Sequence, residues 1–348
     1  MSRRNNRKIA YCLLVCLSLV FLLAGCGEAK EYRQSVSAMD TVIAVTAYGS
    51  KAESGIKAAE SAILAIDAAV NPDNDTSTVY ALNHANGNQV TISGQVADML
   101  NSAKLVYDQT EGAYDLTVYP LLELWGFTNE KYYVPSADED FQALSKLCMD
   151  KIQITSFPTS GTYSVILPDY GSLSFASCAR GCASKYAIDA LRKNGVVSGI
   201  VSCSGNVQTL GQKPDGSNWT VGIVDPSNTS GYLGTVSVGE IAISTSAPYQ
   251  DYMPANPNYH HLFSTKTGYP TNNGILSLTV LCEDGTMADC LATAMYVSGK
   301  SAALNYWKTY GGFEMIIIDD SYNILCTSGL IEQFSLKNSN YTLSYYEG

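Results

Sequence analysis

Six short apolar runs limit most strongly what this chain can fold into. They are TYSVILP (162–168), GSLSFA (171–176), VVSGIVSC (196–203), WTVGIV (219–224), LSLTVLC (276–282) and FEMIIID (313–319). Each is too short for a typical globular helix, rich in β-branched or aromatic residues, and bounded by turn formers, which is the pattern of a buried strand. TVIAVTAYG (41–49) adds another. Helical patterns lie between them: an Ala-rich stretch at 51–69 stopped by NPDNDTS, then 97–110, 181–194, 287–298 and 301–309. Strands that come in groups with helices inserted, rather than in strict alternation, predict an α+β fold with largely antiparallel sheets. The polar tail from Leu330 onward reads as an edge strand or a loosely held end.

The N-terminus stands apart from this pattern. Arg3, Arg4, Arg7 and Lys8 precede an apolar run from Ile9 to Leu23, the layout of an export signal. Leu23-Ala24-Gly25-Cys26 closes it in a form that resembles a bacterial lipoprotein signal, with Cys26 as the lipidated first residue of the mature chain. Residues 1–25 are therefore expected to be removed, 26–36 to form a tether, and 37–348 to fold, on the outer face of the cell membrane. That length allows one large domain or two closely packed lobes.

Charge narrows the function. Without those four basic residues, 21 Lys+Arg become 17 against 32 Asp+Glu. Such an acidic balance argues against nucleic acid, whose binding needs a basic footprint. Seven cysteines remain in the body, an odd number at irregular spacing, so no disulfide framework is expected. Cys178 and Cys182 read as small buried thiols. Three histidines (His84, His260, His261) make a Cys/His zinc site improbable.

MADCLATAMYVSG (287–299) reads as a buried helix that holds one carboxylate, Asp289, with Thr293 four residues on. Positions i and i+4 share a helical face. The two oxygens are either half of a hard-cation site of the kind Mg²⁺ prefers, or a solvent-facing Asp and a Thr bonded back to its own helix. An unpaired buried carboxylate contributes no net stability, so Asp289→Ala should leave the fold little affected. Other stretches offer chemistry more loosely. GCASKYAIDALRKNG (181–195) opens a helix whose first N–H groups suit a diphosphate. SCSGNVQTLG (202–211) carries a Ser-Gly-Asn turn, and ISTSAPY (243–249) carries three hydroxyls. NYHHLFSTKTGYP (258–270) carries two histidines in a loop. GAYDLTVYPLLELWGF (112–127) gathers Tyr114, Tyr119, Trp125 and Phe127, either as core or as a face for a flat aromatic ligand.

In this order the stretches resemble the FAD:protein FMN transferase family, the ApbE family, over roughly residues 37–300. Met39-Asp40-Thr41 is similar to its Met-Gly-Thr, STVYALN (77–83) to its Ser-x-x-x-x-Leu-Asn, and GAYDLTVYPLLELWGF to its Gly-x-Phe-Asp-Pro-Thr-x-x-Pro-Leu-x-x-Leu-Trp-Gly-Phe. Ser204-Gly205-Asn206 resembles its Gly-Gly-Asp/Asn, STSA (244–247) its Thr-Ser-Gly, HHLFSTKTGYP its His-Ile-x-Asp-Pro-x-Thr-Gly-x-Pro, and ADCLATA its Ala-Asp-x-x-Ala-Thr-Ala.

The resemblance implies an ApbE-like α+β fold of two intimate lobes and a Mg²⁺-dependent transferase. Such an enzyme moves FMN from FAD to a Ser or Thr hydroxyl of an exported acceptor protein and releases AMP. It implies a metal site of Asp289, Thr293 and the Ala183 carbonyl. Met39, Asn83, Tyr114, Asp115, Thr117, Ser204, Gly205, Asn206, Thr245, Ser246, Thr267 and Gly268 are implied at the flavin site. His261 is implied beside the reacting phosphate. The family's Gly-Ile-Ala-Lys-Gly appears here as Gly181-Cys182-Ala183-Ser184-Lys185, which moves its lysine onto Ser184 and leaves Lys185 as the catalytic cation. Ala247, Pro248, Ser264 and Thr265 also depart from the family pattern. These departures keep two alternatives open: a non-catalytic flavin-binding lipoprotein, and an FAD hydrolase that yields FMN and AMP.

Overall fold

A computed structural model describes residues 30–159 and 161–348. The export signal and Cys26 lie outside the described residues. The chain opens with β1 (Glu31–Ala38) and β2 (Thr41–Tyr48), followed by α1 (Ala52–Val70), α2 (Thr78–Asn83), β3 (Gln89–Ile92) and α3 (Gly94–Gln109). Then come α4 (Tyr119–Leu124), α5 (Ala137–Leu144), β4 (Gln153–Phe157), β5 (Thr162–Ile166) and α6 (Ala179–Lys193). A run of strands follows: β6 (Gly199–Cys203), β7 (Asn206–Leu210), β8 (Trp219–Asp225), β9 (Asn228–Val238), β10 (Ala242–Ser246) and β11 (Ile275–Cys282). The last third holds α7 (Gly285–Ser298), α8 (Lys300–Tyr310), β12 (Phe313–Asp319), β13 (Asn323–Thr327), β14 (Phe334–Leu336) and β15 (Thr342–Tyr346).

Among the described residues, nine strands form one sheet in the order β1-β2-β6-β7-β10-β11-β12-β13-β15. Only the β13–β15 pairing is parallel. Two three-stranded sheets, β14-β9-β8 and β3-β5-β4, accompany it. Period-two alternation builds a core on each face of the large sheet. β12 turns Phe313, Met315 and Ile317 toward the helices and Ile316 and Ile318 toward the β8–β9–β14 sheet. The helical side packs Ile56, Met99, Ala187 and Leu291, and the opposite side packs Trp219, Val236 and Phe334. The architecture is α+β, with helices and a small sheet on opposite faces of a mostly antiparallel sheet.

Two expectations change here. Residues 31–36, expected as part of a tether, form most of β1, paired residue for residue with β2. This edge strand is polar at most positions, and only Val36 and Ala38 are fully buried, so it carries little apolar signal. GSLSFA forms no strand. The Asn83 side chain takes the place of a neighbouring strand there, accepting from the Leu173 N–H at 2.8 Å and donating to its carbonyl at 3.0 Å.

A third, smaller core resolves the aromatic block. Trp125 is fully buried, donates Nε1–H to Asp140 Oδ1 at 3.1 Å, and packs among Tyr259, Phe263 and Tyr269. Tyr114 is buried too, so these two rings are core. All seven body cysteines are buried and free.

Candidate active site

Two repeat distances that nearly match build the site. Four residues of helix advance about 6 Å and two residues of strand about 6.8 Å, so positions i and i+4 of α7 meet alternate residues of β10 beneath it. Asp289 accepts a hydrogen bond from the Ser244 hydroxyl, and the Thr293 and Ser246 hydroxyls lie 3.1 Å apart. Ser244 and Ser246 share the helix-bearing face with Ala242, while Ile243 turns to the opposite core. Asn206 is the register partner of Ser244 on β7, and its Nδ2 donates to Asp289 Oδ1 at 3.0 Å.

The third donor to Asp289 comes from a helix start. The Gly181 N–H, in the first turn of α6, lies 2.5 Å from Oδ2. First-turn N–H groups have no partner in their own helix, and the helix dipole favours an anion there. Asp289 thus caps α6 from a neighbouring helix. The approach is possible only because Gly181 faces Gly285: a Cβ on Gly181 would sit 2.0 Å from the Gly285 carbonyl oxygen and 2.8 Å from Asp289 Cγ. The first turns of α6 and α7 therefore touch at Gly181 and Gly285, and the buried carboxylate of α7 caps the N-terminus of α6. Burial pushes the Asp289 carboxyl above its usual range, while Ser244, Gly181, Asn206 and the positive charge of Arg180 pull it back.

A turn after β10 brings a histidine toward this cluster. Gln250 donates to the Thr245 carbonyl at 2.9 Å and occupies the space where a Cβ on Gly205 would lie, so the 248–251 turn rests on the 203–206 turn. The Asp251 carbonyl then binds His261 Nδ1 at 2.9 Å. A carbonyl only accepts, so Nδ1 carries the proton and Nε2 is left as an acceptor. Burial holds His261 below its usual pKa of 6.5, so the ring is neutral at pH 7. His260 is different. The Leu262 N–H donates to its Nδ1, its Nε2 donates to the Thr271 carbonyl, and burial lowers its pKa to about 4. It is a core residue.

Other residues expected at the site make bonds of their own within the fold. The Lys185 ammonium lies 2.5 Å from Asp98 and 2.6 Å from Asp284, where it joins α3 to the start of α7. Ser184 is buried, its hydroxyl without a hydrogen-bond partner among the described residues. Thr245 points to the face opposite α7, where its hydroxyl pairs with Thr279 at 2.8 Å. Asp115 accepts from both the N–H and the hydroxyl of Thr117 at 2.6 Å, and Thr117 in turn accepts from the Cys148 N–H. Burial raises the Asp115 pKa to about 6 against those hydrogen bonds. Tyr114 pairs with the Ser177 hydroxyl at 2.9 Å. Met39 occupies a left-handed turn position (φ 50°) with its N–H on Asp67 at 2.6 Å.

The remaining assignments lie at loops. Gly268 (φ 77°) backs onto Asp140, beside which Thr267 accepts from the Tyr269 N–H at 3.3 Å, and Ser204 is exposed at the tip of the β6–β7 turn. Thr265, where the family has proline, ties its loop to the Gly112 carbonyl at 2.7 Å. Of the residues expected at a flavin site, Asn83 lines a cavity of about 500 Å³ that it shares with Tyr80, Tyr119 and Tyr170. Arg180, which sequence reasoning passed over, projects its charge onto Asp289, His261 and Asp251. Its only signal was a lone cation among the small residues of CARGCAS.

Among the described residues no three His, Cys, Asp or Glu side chains gather as a metal-binding group. Asp289, Ser244, Ser246 and Thr293 nevertheless bring carboxylate and hydroxyl oxygens together beside the nitrogen donors Gly181 and Asn206, and such oxygens suit a hard divalent cation such as Mg²⁺. Asn206 Oδ1 is buried there without a hydrogen-bond partner among the described residues. Three donors also leave the Asp289 carboxylate one lone-pair site.

Comparison with known proteins places this arrangement in a family. A family model described as the ApbE family matches residues 39–317, a span that contains Asn206, Ser244, His261, Asp289 and Thr293. The FAD:protein FMN transferase of Salmonella typhimurium is 26% identical over 313 residues, 85% of this chain and 89% of the relative. That of Vibrio cholerae is 28% identical over 305 residues, 84% and 89% of the two chains. The crystal structure of the ApbE protein of Thermotoga maritima matches with a TM-score of 0.78 at 25% identity, over 86% of this chain and 98% of that one. The apo flavinyl transferase ApbE of Pseudomonas stutzeri shares the fold at a TM-score of 0.76 and 24% identity, over 88% and 98%. The chain belongs to the ApbE family.

Proposed function

We propose that this protein transfers FMN from FAD to a Ser or Thr hydroxyl of an acceptor protein and releases AMP. The observation that carries the reading is the buried Asp289 of α7 held by Gly181 at the N-terminus of α6, by Ser244 and by Asn206, inside the span matched to the family. A helix start and a neutral histidine suit a diphosphate substrate and a hydroxyl nucleophile. In the reaction the acceptor oxygen forms a bond to the FMN phosphorus and the bond from that phosphorus to the AMP oxygen breaks. His261 Nε2 takes the proton of the attacking hydroxyl, and its Nδ1–H bond to the Asp251 carbonyl fixes the tautomer that allows this. Asp289, Thr293 and the Ala183 carbonyl would hold Mg²⁺, which supplies charge neutralisation and polarisation at phosphorus. Ser244 and Asn206 orient the carboxylate for that task.

A second reading, a flavin binder without transferase activity, draws on Lys185 being held by Asp98 and Asp284, away from the role the family gives a lysine. Incubation with FAD, Mg²⁺ and a threonine-bearing flavin-acceptor domain separates the two. Transfer adds an FMN mass to the acceptor and releases AMP. FAD retention with neither product supports the binder.

The same reading places the enzyme at the outer face of the membrane through lipidated Cys26. Cys26→Ala should abolish acylation and move the protein out of the membrane fraction or stall it as precursor. Unlipidated wild-type protein free in the cytoplasm would contradict the anchor.

A further inference from the structure

With Lys185 bound between two carboxylates and Ser184 buried at the family's lysine position, the site needs another cation if it is to hold a diphosphate. Arg180 is the second residue of α6, one position before the amide that binds Asp289. It is half-buried, and its guanidinium makes no hydrogen bond or ion pair among the described residues. We propose that Arg180 is the residue that grips the diphosphate of FAD in this chain, in place of the family's lysine. The assignment rests on the transferase reading and specifies how that site recognises its substrate.

Three physical arguments support it. A partly desolvated guanidinium with no direct ion pair or hydrogen bond among the described residues is stabilised when an anion meets it. Its neighbour in α6, Gly181, binds Asp289 directly, and its charge acts on groups of three different segments, Asp289 on α7, Asp251 on the turn after β10 and His261 on the next loop. The planar guanidinium fork binds two phosphate oxygens at once, which an ammonium cannot do, and it lies at the positive end of α6 where an anion is already favoured. The proposal therefore predicts selectivity for the phosphate portion of the ligand over the ring.

The test is equilibrium binding of riboflavin, FMN and FAD to the full chain, read by flavin fluorescence, for wild type, Arg180→Ala and Arg180→Lys. Arg180→Ala should weaken FAD at least tenfold and flatten the salt dependence of its binding, with riboflavin affinity and Tm unchanged. Arg180→Lys should recover part of the loss, since it keeps the charge but not the fork. Equal losses for riboflavin and FAD, or no loss for FAD, would overturn the role of Arg180. Wild-type FMN transfer, followed in parallel, reports on the parent reading. Transfer by wild type with unaltered FAD binding in Arg180→Ala removes only this assignment. Wild type that neither binds FAD nor transfers FMN removes both.

Discussion

Removing the Asp289 carboxylate leaves the Gly181 N–H, the Asn206 amide and the Ser244 hydroxyl without their acceptor, at a position nearly closed to solvent. Each unsatisfied buried group costs about 1–3 kcal/mol. Asp289→Ala should therefore lower unfolding stability by about 3 kcal/mol in urea titration, contrary to the neutral outcome expected for an unpaired carboxylate. A variant within about 0.5 kcal/mol of wild type would show that these hydrogen bonds do not hold in solution. Asp115 gives a pH test. Its folded pKa of about 6 exceeds the ordinary 3.8, so between these values the folded chain keeps a proton that the unfolded chain has released. Its contribution makes stability fall as pH rises through that window. Asp115→Asn retains an oxygen for both Thr117 donors and cannot titrate. Subtracting its stability curve from that of wild type, measured from pH 4 to 7, should give a difference that falls with rising pH. A flat difference would contradict the raised pKa.

At the scale of elements, the crossing of α6 and α7 is the most demanding feature. Gly181→Ala places a methyl group 2.0 Å from the Gly285 carbonyl oxygen and must push the helices apart. Overpacking of this kind costs about 1–3 kcal/mol, at times more. The variant should lower Tm and, because Asp289 then loses its α6 donor, weaken FAD binding as well. Unchanged Tm would mean that the two helix starts do not touch. Elements with strong periodicity were legible in the sequence: 51–69 and 287–298 read as helices and appear as α1 and α7. The short α2, α4 and α5 were missed because one or two turns show no period, although Ser136 and Glu139 form a capping box readable as Ser-x-x-Glu. β1 was missed because an edge strand with one polar face looks like a linker. In the site, Asp289 and Thr293 were legible as an i, i+4 pair. Ser244 and Asn206 as its partners, and Asp98 as the partner of Lys185, were not, because long-range packing leaves no local pattern.

Across the whole molecule, the large sheet carries the site at the strand ends of β7 and β10, covered by α6 and α7, while the β8–β9–β14 sheet covers its other face. That division leaves one helical face to supply the N-terminus of α6, the buried carboxylate and the cation of Arg180. It also keeps the departures from the family pattern local. Thr265 and Lys185 make structural bonds, and the fold matches its relatives over most of its length. On the proposed reading this scaffold performs group transfer. Intact-mass analysis of a threonine-bearing acceptor domain after incubation with the full chain, FAD and Mg²⁺, with AMP measured in the same reaction, decides it. Transfer gives an acceptor heavier by one FMN, AMP in equal amount, and neither product from His261→Ala or without Mg²⁺. FAD bound tightly by wild type, with no mass change on the acceptor and no AMP, would contradict it.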